Sequence, residues 1–193
     1  MNDIENFFDK CACSWDNDES HTLEEKKYLL DKVQIKPNSK IIDIACGTGV
    51  ITKLLYEYSH TNIKAIDISQ NMIDIARKKY QFDEWATFEK CDFLDLKEKD
   101  YYDYAIIYNA YPHFLDVESF VNKLKNILKP GGTFAILHSL SRFELQKHHD
   151  KRAPLVSRTL ESPIKESEVF QKYFDIIEAS ETDHTFVLIG KKK

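Results

Sequence analysis

Lys40-Ile-Ile-Asp-Ile-Ala45 is a short isoleucine-rich run, broken by Cys46-Gly47-Thr48-Gly49. It is followed by Ile51, Leu54, Leu55 and Tyr58 at helical spacing. An apolar run of this length marks a strand buried on both faces, and the later spacing marks an amphipathic helix. Glycines at such a junction let the backbone approach a ligand closely and adopt turns that a Cβ resists. A ligand held there lies against the free N–H groups that open the helix.

The same alternation continues along the chain. Asn62 to Asp67 predicts a second buried strand, and Ser69 caps a helix in which Met72, Ile75 and Ala76 share a face. Ala86 to Cys91 and Asp103 to Tyr108 predict the third and fourth strands. Val117, Phe120, Val121, Leu124, Ile127 and Leu128 form an amphipathic helix, stopped by Pro130-Gly131-Gly132 before a fifth strand, Thr133 to Ser139. Strands and helices in alternation argue for a parallel sheet with helices on both faces. Tyr173 to Glu181 and His184 to Lys192 are strand-like runs joined by Thr182-Asp183 alone. So short a link demands antiparallel pairing. The expected architecture is α/β: an open, mostly parallel sheet closed by a C-terminal antiparallel hairpin. Residues 1–37 read as an N-terminal helical segment before a domain over residues 38–193.

Composition excludes several classes of partner. At 193 residues, one compact domain is expected. A formal net charge of -5 argues against an extended nucleic-acid surface. No window approaches the roughly 20 apolar residues of a membrane helix, and MNDIENFFDK lacks the apolar core of a signal peptide. Cys11 and Cys13 form C-x-C with no matching pair, so neither a zinc site nor a disulfide framework is indicated. Cys11, Cys13, Cys46 and Cys91 read as reduced thiols of a cytoplasmic protein.

Asp67 ends the second strand 18 residues after Gly49. A carboxylate there can accept both hydroxyls of a ribose. These features fit a dinucleotide site, except that Thr52 stands where G-x-G-x-x-G requires its third glycine. They also fit a glycine turn that binds nothing.

The run Asp43-Ile-Ala-Cys-Gly47-Thr-Gly49 resembles motif I of class I S-adenosylmethionine-dependent methyltransferases, with Ala45 in place of the first glycine. Asp67-Ile68 resembles the family's ribose-binding site and Cys91-Asp92-Phe93 its adenine site. Leu128-Lys-Pro-Gly-Gly-Thr133 resembles the turn before its fifth strand. The resemblance implies a seven-stranded Rossmann-like fold and S-adenosyl-L-methionine as methyl donor. Asp43, Ala45, Cys46, Gly47, Gly49, Asp67, Ile68, Asp92, Phe93 and Asn109 are then the cofactor-binding candidates. A sulfonium methyl is already activated, so the protein needs chiefly to align an acceptor and exclude water. A base for the acceptor's proton is the remaining requirement.

Acceptor-side candidates lie beyond strands four and five, where ligands of open α/β sheets bind. His113 is the candidate base, Tyr111 and His138 are expected to converge beside it, and Phe114 is a candidate wall. Asn109 to Phe114 shares residue types with the N-P-P-[YF] signature of amino-group methyltransferases, but the spacing differs. Beyond strand five, Arg142 with a histidine could grip an anion, or Arg142, His148 and His149 are exposed or capping polar residues; three histidines, His138, His148 and His149, invite a metal reading, but the spacing of His138 to His148 fits no metal motif. Phe7, Phe8 and Trp15 resemble the lid that precedes motif I in small-molecule methyltransferases. The expected partner is a small-molecule methyl acceptor. Two alternatives stay open: a sensor that binds S-adenosylmethionine without turnover, and a nicotinamide-dependent oxidoreductase.

Overall fold

The computed structural model describes residues 3–18, 22–152 and 156–193, with the side chains of Asp18 and of residues 148–152 outside that description. Helices α1 (Asp3–Cys11), α2 (Trp15–Asp18) and α3 (Leu23–Asp31) precede strand β1 (Ile41–Ile44). Next come α4 (Thr52–Ser59), β2 (Ile63–Asp67), α5 (Gln70–Lys79), β3 (Ala86–Lys90) and β4 (Tyr102–Tyr108). The chain finishes with α6 (Val117–Ile127), β5 (Leu128–His138), α7 (Arg142–Arg152), α8 (Pro163–Phe170), β6 (Phe174–Glu181) and β7 (Phe186–Lys192).

The seven strands form one sheet in the order β3-β2-β1-β4-β5-β7-β6. Strands β1 to β5 pair in parallel, and β7 runs antiparallel to both β5 and β6. The seven-stranded, mostly parallel sheet with its closing hairpin is thus the one the sequence implies. The strand order turns back at β1 and β4, the switch point at which open α/β sheets bind ligands.

Every residue of β1 is buried, as its isoleucine content requires. Ile42 and Ile44 face a core that includes Phe120, Phe134, Phe170 and Phe174. Ile41 faces the other core, with Leu29, Leu30, Leu54, Leu55 and Ile106. Helix α3 thus covers the α4 side of the sheet. Its start carries a reciprocal cap, in which Thr22 accepts from Glu25 N and Glu25 accepts from Thr22 N. Ser69 caps α5 and Asp116 caps α6 through their side-chain oxygens.

Two connections differ from the sequence reading. Strand β5 begins at Leu128, and its register with β4 jumps from Tyr102–Leu128 to Tyr104–Thr133. Lys129 to Gly132 are therefore a bulge within a longer strand. The hairpin link covers residues 182–185 and is closed by Thr182 N donating to Thr185 O at 2.9 Å.

The hairpin docks through a close backbone-to-ring contact. Gly190 of β7 pairs with Phe134 of β5. A Cβ on Gly190 would stand 2.5 Å from Phe134 Cε1 and 2.9 Å from Cζ. Phe134 cannot swing clear, because Phe170 stacks on it at 4.7 Å and Phe174 meets it edge-on at 4.9 Å. Gly190→Ala should cost about 1–3 kcal/mol by overpacking. Urea unfolding should show a lower midpoint with an unchanged slope; an unchanged midpoint would mean that the hairpin yields freely.

Candidate active site

A cleft of about 490 Å³ opens at the carboxyl ends of β1 to β4. Its floor comprises Asp43, Ala45, Cys46 and Gly47 after β1, and Asp67 and Ile68 after β2. Cys91, Asp92 and Phe93 follow β3, and Asn109 and Ala110 follow β4. Ile4, Phe8 and Trp15 lie across it from the N-terminal helices.

Ala45, Gly47 and Gly49 all adopt positive φ, at 56°, 55° and 81°. The turn brings Gly47 N to within 2.9 Å of Asp67 Oδ2. A Cβ on Gly47 would meet only Trp15 Nε1 at 3.6 Å and Met72 Sδ at 4.0 Å, so the glycine leaves an open floor. Gly49 plays another part. A Cβ there would come 2.9 Å from the Tyr80 ring and 3.1 Å from the Phe88 ring, so Gly49 packs away from the cleft. Ala45 bears the cost of a left-handed residue with a Cβ, about 1–2 kcal/mol.

Asp67 is 7% exposed. Its Oδ1 accepts from Ser69 N at 2.8 Å and its Oδ2 from Gly47 N at 2.9 Å. Each carboxylate oxygen has two acceptor positions, so the carboxylate retains capacity for two further donors. Burial raises its pKa to about 6, against the opposing effect of the backbone donors. Asp43 accepts from Thr52 Oγ1 at 2.6 Å, and burial raises its pKa to about 7.

Asp92 caps the turn after β3 by accepting from Leu94 N at 2.9 Å. Phe93 meets Phe114 edge-on at 5.9 Å and fixes that wall of the cleft. Asn109, at φ 53°, lines the cleft, but its carboxamide bridges to β5: Ser139 N donates to Oδ1 at 2.9 Å, and Nδ2 donates to Ser139 Oγ at 2.8 Å.

His113 lies in the cleft beside Phe8, with their rings 4.8 Å apart and edge-on. Its Nδ1 donates to Val156 O at 2.9 Å. A carbonyl can only accept, so in the neutral ring the lone pair sits on Nε2. Phe8 and Trp15 meet at 5.7 Å.

Tyr111 and His138 do not converge on His113. Tyr111 is fully buried, packs on Phe120 and Phe170, and donates its hydroxyl to Glu166 Oε2 at 2.9 Å. His138 is fully buried at the end of β5, opposite Phe186 in the β7 register and edge-on to its ring. In both cases a packed neighbour from far along the chain determines the direction of the ring. Arg142 is committed as well, its Nε lying 3.1 Å from Glu181 Oε2. The His148 and His149 side chains lie outside the described residues. Among the described residues, no group of three His, Cys, Asp or Glu side chains is placed to hold a metal ion, and no helix is long and apolar enough to cross a membrane.

Sequence reasoning missed the contacts that hold the N-terminal helices over the cleft. Asp9 Oδ1 accepts from Ser69 Oγ at 2.5 Å and from Asn71 N at 3.1 Å. Asp16 accepts from Thr48 Oγ1 at 2.5 Å and pairs with Lys79 at 2.8 Å. Glu5 pairs with Lys90 at 2.6 Å. The sequence carries only a weak signal for them, the i, i+4 spacing of Glu5 and Asp9 on one helix face; the partners of these two lie 60 or more positions away.

Residues 35–184 match the family described as "Methyltransferase domain". The chain belongs to that family, and its fold is that of the class I S-adenosylmethionine-dependent methyltransferases. Among curated relatives, it is 27% identical over 119 residues to a sterol 24-C-methyltransferase of Debaryomyces hansenii, covering 60% of this chain and 32% of that protein. A malonyl-[acyl-carrier protein] O-methyltransferase of Acetivibrio thermocellus is 34% identical over 110 residues, covering 55% and 38%. The matches thus span about a third of the length of these relatives. Among solved structures, one in the complex of the Haloferax volcanii Trm112 methyltransferase activator with a methyltransferase superposes with TM-score 0.85 at 19% identity, over 98% of this chain and 97% of that one. The N-methyltransferase NodS of Bradyrhizobium japonicum superposes with TM-score 0.76 at 12% identity, over 99% of both chains.

The two floor carboxylates make stability depend on pH in a definite direction. Their folded pKa values, about 7 for Asp43 and about 6 for Asp67, exceed the ordinary 3.8. Between these limits the folded chain holds more protons than the unfolded one, so both groups reduce stability as pH rises from about 4 to about 7. Asp43→Asn removes one of them. The stability of Asp43→Asn relative to wild type should therefore increase across that interval and level off above it. Parallel urea titrations at pH 4.5, 6 and 7.5 measure this, and a pH-independent difference would refute the buried ionisation.

Proposed function

We propose that this chain is an S-adenosylmethionine-dependent methyltransferase acting on a small-molecule acceptor. The observation that carries the reading is the Asp67 carboxylate, fixed by two backbone N–H groups and turned to the cleft over the open floor of Gly47. When bound, the cofactor supplies an activated sulfonium methyl. In this reading Asp67 accepts from both ribose hydroxyls, and Ile68 lies beside the ribose. Asp92 accepts from the adenine amine against Phe93. The turn from Asp43 to Gly47 and the neighbouring Asn109 border the amino-acid end of the cofactor. Gly49 supports that turn through its packing. Helices α1 and α2 act as the lid: Phe8 and Trp15 exclude water, while Asp9 and Asp16 hold them down.

His113 is the base in this scheme, taking the acceptor's proton on Nε2 while Val156 holds Nδ1. The acceptor lies between His113, Phe114 and Leu140, all of which border the cleft. The sterol and malonyl-carrier relatives support methyl transfer as the reaction class and differ too much from one another to define the acceptor. The family match argues against the nicotinamide reading.

Asp67→Ala should weaken S-adenosylhomocysteine binding roughly 10–100-fold, the loss of charged hydrogen bonds worth about 1.5–3 kcal/mol. In wild type the hydroxyls favour the ionised carboxylate, so affinity should fall as pH drops below about 6. Calorimetry across pH tests both; equal affinity in the variant would exclude the ribose assignment.

An acceptor screen read by S-adenosylhomocysteine release tests turnover. Cofactor binding with no product from any acceptor would favour the sensor. With an acceptor in hand, His113→Ala should lower turnover about 10²–10⁴-fold with cofactor affinity unchanged. Full turnover in that variant would remove His113 from the chemistry.

A further inference from the structure

The turn that carries His113 rests on a polar cluster outside the cleft. Glu166 of α8 has a side chain only 6% exposed. Its Oε1 and Oε2 accept from Arg158 Nη1 at 2.7 Å and Nη2 at 2.9 Å, a two-pronged fork. Glu161 N donates to Oε1 at 2.9 Å, and Tyr111, kept protonated by burial, donates to Oε2 at 2.9 Å. The Arg158 guanidinium lies 4.5 Å over the Tyr111 ring.

Arg158 also reaches the His113 turn directly. Its backbone N–H donates to Pro112 O at 3.0 Å, and its Nε donates to Phe114 O at 3.4 Å. Two residues earlier, the Val156 carbonyl accepts from His113 Nδ1. Residues 156–158 therefore touch the turn at three consecutive residues: the Pro112 carbonyl, the His113 ring and the Phe114 carbonyl. A buried ion pair is weak grounds for claiming stability, because desolvation offsets its attraction. A guanidinium–carboxylate fork does fix relative orientation, in a geometry that lysine cannot reproduce.

We propose that the Arg158–Glu166 pair is a positioning device for His113, holding the Val156 carbonyl against Nδ1 so that the lone pair stays on Nε2. It rests on the reading of His113 as the base. It predicts that a change about 50 residues along the chain, outside the cleft, alters the proton placement on one imidazole. The Tyr111 hydroxyl is part of the same cluster, bonded to Glu166 and also interacting with Arg158, whereas its ring, which lies under the guanidinium, does not depend on the hydroxyl.

The test is the tautomer of His113 in ¹⁵N-histidine-labelled full-length protein saturated with S-adenosylhomocysteine, with its signals identified by their loss in His113→Asn. Wild type should show one neutral tautomer, protonated on Nδ1. Folded Arg158→Lys and Glu166→Gln should each show a mixture of the two tautomers. Tyr111→Phe loses a buried hydrogen bond yet leaves the fork intact, so it should melt earlier and keep the single tautomer. If Arg158→Lys does not fold, Glu166→Gln decides the matter. A single Nδ1–H tautomer in the folded fork variants would overturn the proposal, as would an equal shift in Tyr111→Phe. No acceptor is needed, so this result stands apart from the turnover of His113→Ala, which alone decides whether His113 is a base.

Discussion

The bond from Gly47 N to the Asp67 carboxylate joins the two loops on which the cleft depends. It ties the turn after β1 to the end of β2, and it forms only because the turn takes left-handed conformations at three alternate residues. Burying a carboxylate is costly without donors. Gly47 and Ser69 supply two and leave the remaining acceptor positions facing the cleft. The Asp67 carboxylate is thus fixed in place with acceptor capacity to spare, as the proposed ribose contact requires. Burial raises the pKa values of both Asp43 and Asp67, against the lowering effect of their hydrogen-bond donors.

The N-terminal helices are bound to the same loops. Asp9 holds Ser69, whose backbone donates to Asp67, and Asp16 holds Thr48, which lies between Gly47 and Gly49. A displacement of α1 or α2 therefore changes the hydrogen bonding one residue from the cofactor candidates, and Phe8 and Trp15 move with it. Cover and floor are mechanically joined through short hydrogen bonds to carboxylates, each worth about 1.5–3 kcal/mol.

The parts of the structure that were legible in the sequence are those whose geometry is local. Isoleucine runs identified β1, β2 and β4, and a 3.6-residue period identified α6. A short polar link identified the antiparallel hairpin, although its turn is longer than Thr182-Asp183. The placement of Asp67 followed from its position at a strand end. Tyr111, in the turn after β4, and His138, at the end of β5, do not reach the cleft as expected, because Glu166 lies 55 residues from Tyr111 and Phe186 lies 48 from His138. Pro130-Gly131-Gly132 reads in sequence as a helix stop and a turn before the fifth strand, whereas β5 pairs with β4 on both sides of it. Gly47 and Gly49 look equivalent in sequence; only the aromatic pair Tyr80 and Phe88 shows that one opens the floor and the other packs beneath it.

This difference follows the chemistry of the two halves of the cleft. The floor after β1 and β2 is held by backbone donors and a nearby carboxylate, so a short motif suffices to specify it. The half after β4 and β5 is held by side chains drawn from α8, β7 and the stretch before α8. A cofactor that is common to many acceptors can be served by the first kind of construction. In the proposed reading, acceptor choice rests on the second kind, in which the direction of each ring is determined by a distant partner. On that reading the acceptor half admits variation without disturbing the cofactor half, and a sequence motif that points to the donor carries little information about what receives the methyl group.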